Sequence, residues 1–174
     1  RPNLARTFAD PAGKDGWLRA STGLSGQPDV WGTLFALHLG VLDRAQANAA
    51  RNTVTDALRR GTITLEGGVR QVPTDRDFSK TTAWERSMCA INTYQNGGYW
   101  HTASGWLIGA LWKHDRALAL QVFGEMLVHL RAQDFRKGPG HGAPWEVYGP
   151  NGKGRQNAVY MASVALPYGI LKRL

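Results

Sequence analysis

The chain is 174 residues long, 43% hydrophobic and 10% aromatic, with 21 glycines and a formal net charge of +8. Seven Trp, five Tyr and five Phe supply enough apolar surface to offset chain entropy, which excludes intrinsic disorder and suits a single domain spanning 1–174. The lone Cys89 excludes a disulfide framework and a cysteine-based zinc site, and no run of about eighteen apolar residues is present to cross a membrane.

Residues 1–28 are rich in Gly, Ser, Pro and charge and read as an irregular lead-in. They open at Arg1 without Met or an apolar leader, which implies a removed targeting segment or a start inside a longer protein. Residues 30–42 are apolar around most of a helical surface, the mark of a buried helix. Ala47, Ala50, Val54, Ala57 and Leu58 then recur at three and four, with Gly61 closing the run. The pair makes an αα-hairpin that turns near Asp43. Residues 62–65 and 69–72 flank Glu66-Gly67-Gly68 and predict a small β-hairpin. Residues 81–92 predict a short helix with Trp84, Met88 and Ile91 on one side. Residues 100–112 form a second inner helix, with 116–130 as its amphipathic partner. A glycine- and proline-rich loop over 131–156 follows, of the length that is usually functional. A last inner helix is expected over 158–166, ended or kinked by Pro167.

The order of inner helix, outer helix and aromatic loop repeats weakly every 60–70 residues or so. Stacked in a ring, such αα-hairpins form an α/α toroid. The fold expected is therefore all-α, a partial (α/α) toroid with one small β-hairpin.

Four segments carry a family likeness. Tyr94-Gln95-Asn96-Gly97-Gly98-Tyr99-Trp100, followed by Thr102-Ala103-Ser104-Gly105-Trp106, resembles the aromatic Asn-Gly-Gly loop of the six-hairpin glycosidases. Pro28-Asp29-Val30-Trp31-Gly32-Thr33 resembles another inner-helix entrance of that superfamily. Gly142-Ala143-Pro144-Trp145-Glu146-Val147-Tyr148 resembles its late Trp-Glu segment, and residues 157–168 its closing helix. The likeness runs over about residues 27–174. A complete twelve-helix ring needs well over about 300 residues, so the chain resembles the C-terminal half of such a protein. The resemblance implies a glycoside hydrolase of inverting type, without cofactor, whose partners are a carbohydrate substrate and a missing N-terminal half or a second copy of the chain.

Glycoside hydrolysis needs two carboxyl groups, one protonated and one ionised. Only four Glu and nine Asp are available. Glu146 lies between Trp145 and Tyr148 in the long loop and is the candidate base. Asp29 is the candidate acid, although its place before an apolar helix also suits an N-cap. Tyr94, Asn96, Tyr99, Trp100, His101, Trp145 and Tyr148 combine flat rings with amide, imidazole and phenol groups, which suits sugar binding. Two other functions fit the same residues. A toroid polysaccharide lyase or sugar epimerase would use His101 or His141 with a Tyr, and a non-catalytic helical module would grip a glycan or a protein.

His38, His101, His114, His129 and His141 have no metal-ligand spacing, and the Gly-rich stretch near Lys153 lacks the pattern of a phosphate loop. No metal is expected. Lys and Arg are spread along the chain, twelve before residue 88 and nine after it. A nucleic-acid surface needs a clustered face, so the basic excess points instead to acidic polysaccharides as carbohydrate partners.

Overall fold

A computed structural model describes residues 7–8, 15–23, 26–76, 93–94 and 97–174 of the chain. The lead-in carries structure of its own. Strand β1 (Leu18–Arg19) pairs antiparallel with β2 (Pro28–Asp29), Leu18 opposite Asp29. Asp29 then caps helix α1 (Val30–Leu39), its Oδ1 accepting the Gly32 amide at 2.8 Å. The buried Thr33 hydroxyl donates to the Asp29 carbonyl and accepts from the Leu18 amide, locking the strand pair to the helix. Helix α1 stops at Gly40, whose left-handed backbone (φ 62°) turns its amide back onto the carbonyls of Ala36 and Leu37.

Helix α2 (Arg44–Arg59) starts at a reciprocal capping box between Asp43 and Gln46. Its apolar residues Ala50, Val54, Ala57 and Leu58 face the core, so the predicted αα-hairpin of α1 and α2 forms. Strands β3 (Thr64–Leu65) and β4 (Gly68–Arg70) make the predicted β-hairpin. A third strand, β5 (Tyr99–Trp100), pairs with β4 and leads through a 3₁₀ turn (His101–Ala103) into helix α3 (Ser104–Leu111). Helix α4 (Arg116–Ala132) is capped by Asp115, and α5 (Ala162–Leu171) closes the described chain.

Helix α3 is the middle of the molecule. Leu107, Ile108 and Leu111 are fully buried, and α1, α2, α4 and α5 all pack on them. Gly105 permits a close crossing with α5, since a Cβ there would stand 2.8 Å from the Cα of Pro167. Gly67 and Gly68 do the same for the hairpin turn. A Cβ at Gly67 would meet the backbone of Met126 on α4 at 2.4 Å, and one at Gly68 would meet the Tyr148 hydroxyl at 2.2 Å.

The all-α expectation is overturned. The described residues hold five helices together with two small antiparallel sheets, a mixed α/β arrangement rather than a partial (α/α) toroid. Tyr99 and Trp100, expected at a helix entrance, are strand because their backbone groups pair with β4 on one side. On the other side Tyr99 exchanges amide bonds of 2.8 and 3.1 Å with Tyr148. The last helix begins four residues late because Asn157 and Val159 take left-handed backbone angles of 48° and 58°. The predicted helix over 81–92, with Trp84 and Cys89, lies outside the described residues.

The two kinds of glycine separate in a stability test. Gly40→Ala incurs only the left-handed backbone strain, about 1–2 kcal/mol, because nothing lies within 4 Å of its Cβ position. Gly67→Ala (φ 74°) adds a backbone collision to the same strain, worth about 1–3 kcal/mol more. Urea unfolding of both variants checks the difference, and equal losses would show that the turn does not press on α4.

Candidate active site

The loop after α4 is stitched into a defined shape by backbone bonds. Val159 and Tyr160 donate to the carbonyls of Gly142 and Pro144 at 2.9 and 2.7 Å, and the Glu146 amide donates to those of Gln156 and Asn157. The Ser163 hydroxyl on α5 donates to the Trp145 carbonyl at 2.7 Å, and the Arg155 guanidinium lies over the Trp145 ring. These bonds fix Glu146 between its neighbours rather than on an open rim.

The Glu146 side chain is held from both sides. It is only 7% exposed, with Oε1 accepting from the Tyr94 hydroxyl at 3.1 Å and Oε2 from the Asn157 amide. Both donors sit on left-handed backbone, Tyr94 at φ 42° and Asn157 at φ 48°. Asn adopts that region readily, but for Tyr it is strained and needs an over-determined surrounding. The clamp on Glu146 is therefore costly to build.

Aromatic rings run away from the clamp. The Tyr94 ring lies 5.3 Å from Trp100, which meets Trp31 edge-on at 5.6 Å. Trp31 continues to Trp106 at 6.1 Å, and Trp106 to Phe35 at 5.0 Å. The Trp100 indole nitrogen is buried with no hydrogen-bond partner. Asp29 is at the foot of Trp31 in the chain, and its carboxylate serves as the α1 cap. Burial pushes the Asp29 carboxyl above its ordinary range, against the lowering effect of the Gly32 and Trp31 amides.

A second polar cluster lies on the other face of β5. The fully buried Tyr148 hydroxyl donates to the Leu65 carbonyl at 2.7 Å and stands 3.0 Å from His101 Nε2. His101 Nε2 is also 3.1 Å from the Glu66 carbonyl and 3.4 Å from His129 Nδ1. His129 Nε2 lies 3.5 Å from the Glu66 carboxylate. Tyr99 stacks on Tyr148 with 6.4 Å between centroids, and the Arg70 guanidinium lies near its ring. Burial lowers the His101 imidazole to about 4, lowers that of His129, and raises the Tyr148 phenol well above its ordinary value. The two imidazoles and the phenol are uncharged at neutral pH, and the phenol holds the hairpin turn.

The structure thus brings Glu146, Tyr94 and Trp100 together, and separately His101, Tyr148 and Tyr99. Trp145 flanks the first group through its backbone, while Asn96 lies outside the described residues. Asn157 and His129 were missed as site residues. His129 carried a signal, since it continues the buried spacing of Ala119, Val122 and Met126 on α4. Among the described residues no group of three or more His, Cys, Asp or Glu is arranged to hold a metal ion. No described helix is long and apolar enough to cross a membrane. Comparison with protein-family models, curated proteins and solved structures gives no match.

The buried imidazole makes stability depend on pH. Between pH about 6.5 and 4 the unfolded chain binds a proton at residue 101 that the folded chain does not. Stability therefore falls as pH drops through this window, by about 3 kcal/mol from His101 alone. His101→Gln should flatten the profile by that amount in denaturant titrations at stepped pH. Parallel profiles for the two proteins would place the imidazole in solvent.

Proposed function

We propose that this chain is a carbohydrate-active protein that serves glycoside hydrolysis, with Glu146 as the base. The observation that carries this reading is the clamp on Glu146, a nearly buried carboxylate held by the Asn157 amide and by the phenol of Tyr94, whose backbone is strained. Backbone outliers of this kind concentrate where a functional group has to be aimed.

The ring series from Tyr94 through Trp100 to Trp31 supplies flat apolar faces beside that carboxylate. Sugars present C–H faces bordered by hydroxyls, which such rings and polar groups match. The Asn-Gly-Gly loop and Trp-Glu segment that resemble those of the six-hairpin glycosidases support the same substrate class. In the reaction Glu146 takes a proton from the attacking water. Asp29, the expected acid, is committed to the α1 cap and is linked to Glu146 only through the rings of Trp31, Trp100 and Tyr94, so the reading rests on Glu146 as the base.

The phenol–imidazole pair of Tyr148 and His101 is a weaker basis for lyase chemistry. Its hydroxyl already donates to a backbone carbonyl, and at 1% exposure both side chains are more enclosed than Glu146 at 7%.

Glu146→Gln tests the proposal. The amide keeps the size and the bond accepted from Asn157, turns the Tyr94 hydroxyl from donor to acceptor and cannot take the proton, so turnover should drop by about 10²–10⁴-fold with binding kept and Tm little changed. Chromatography of the products from a panel of neutral and acidic oligosaccharides gives the readout. Preserved turnover per folded molecule with a lowered Tm would make Glu146 structural. A product absorbing in the ultraviolet would replace hydrolysis by elimination.

A further inference from the structure

A cleft of about 240 Å³ opens where the finish of α3 meets α1 and α2, lined by Arg51, Trp112, Lys113 and His114 with Leu37 and Leu174 beside them. It is slightly smaller than the roughly 300–1,000 Å³ usual for drug-sized ligands, which suits a small one. Its charge is one-sided. Arg51 and Lys113 are cations, and no acidic side chain lines the cleft. Lys113 and His114 are exposed and Arg51 is half-buried, so all three are within reach of a solute that enters.

These groups are not spoken for by the fold. Among the described residues, Arg51, Lys113 and His114 take part in no ion pair and no side-chain hydrogen bond. Asp115, the acid next to them in the chain, is already used. Its Oδ2 accepts from Arg59 at 3.0 Å and its Oδ1 from the Leu118 amide at 3.1 Å. The carbonyl of Ile108 takes the Trp112 amide and that of Leu111 takes the amides of His114 and Asp115, which blunts the negative pole of α3. Arg116 lies over the Trp112 ring at 4.5 Å and adds a further positive group. A half-buried guanidinium gives up hydration that only an anion restores in full. A carboxylate meets that need, since a guanidinium can take both of its oxygens at once and an ammonium adds a third donor. Trp112, Leu37 and Leu174 give the rest of such a ligand an apolar wall that a bare inorganic ion does not use.

We infer that the Arg51–Lys113 cleft binds the carboxylate of an acidic sugar unit, with the His114 imidazole as a further donor. The choice of a sugar as the carrier of that carboxylate rests on the proposed carbohydrate function. The eight residues of α3, about 12 Å at the helical rise, stand between this cleft and the strand that leads towards Glu146. It is a holding site for a charged unit, and its cations take no part in bond cleavage. The net charge of +8 favours the approach of such a ligand from a distance.

The test is a titration of the full chain with glucuronate and galacturonate, with glucose and inorganic phosphate as comparisons, followed by the NMR signals of indoles and of arginine and lysine side chains. At least one uronate should move the Trp112 indole and Arg51 signals saturably, with affinity that falls as salt is raised. Glucose should leave them still. Arg51→Gln should weaken uronate binding by about tenfold, the worth of one charge-assisted hydrogen bond. Lys113→Gln, at an exposed position, gives the same comparison should the change on α2 disturb folding. Movement with phosphate and none with uronates would overturn the acidic-sugar ligand. An equal response to glucose, or unchanged uronate affinity in both variants, would overturn the role of the charges. Uronate shifts confined to Tyr94 and Trp100, or no shift at all, would overturn the cleft. The hydrolase reading would then still stand or fall by the Glu146→Gln assay, which depends on neither cation.

Discussion

The Tyr148 hydroxyl bond to the Leu65 carbonyl is the tie on which the remaining arrangement depends. It spans 83 residues and reaches the hairpin turn only because Gly68 has no side chain in its way. Gly67, next to it, lets the same turn settle on the backbone of α4. One small turn is thus pressed between the late loop and a helix. The Ser104 hydroxyl, donating to the Gly67 carbonyl at 2.6 Å, adds the first residue of α3 to the junction. Replacing any of these contacts by water is unavailable in so enclosed a place, and an unmade bond there would leave a buried carbonyl unsatisfied.

Strand β5 divides the two polar clusters. Successive side chains of a strand point to opposite faces. Tyr99 accordingly meets Tyr148 and the Arg70 guanidinium, while Trp100 meets Trp31 and Tyr94. The first face is enclosed and occupied with holding the turn. The second leads along rings to a charged group. Two adjacent aromatic residues therefore separate what keeps the chain folded from what is available to a ligand.

Much of the helical framework was legible in the sequence. The three-and-four spacing of Ala47 to Leu58 and the Asp43 cap mark α2 because its one-sided burial is a local property. The Glu66-Gly67-Gly68 turn was legible for the same reason, as the positive φ at Gly67 calls for glycine, although Glu66 takes φ 49° against its preference. Strand β5 was not, since Tyr99-Trp100 precede an apolar helical run and their partner Val69 is distant in the chain. The start of α5 was missed because left-handed Asn157 and Val159 follow from the stitching of the loop, a tertiary effect. Glu146 could be singled out by its aromatic neighbours, but its clamp could not. Tyr94 lies 52 residues away, and Asn157 had looked like the beginning of a helix.

The brevity of α3 makes it dependent on its neighbours. It has eight residues, including Gly105 and Gly109, and no side-chain cap at its start. Helices shorter than about 12–15 residues are marginal on their own in water. By contrast, α2 and α4 have 16 and 17 residues and begin at Asp caps. Local helical preference is thus stronger in the outer pair, and the central helix depends for its shape on the surfaces that close around it. The helix on which the other described helices lean is thus among the least able to stand alone.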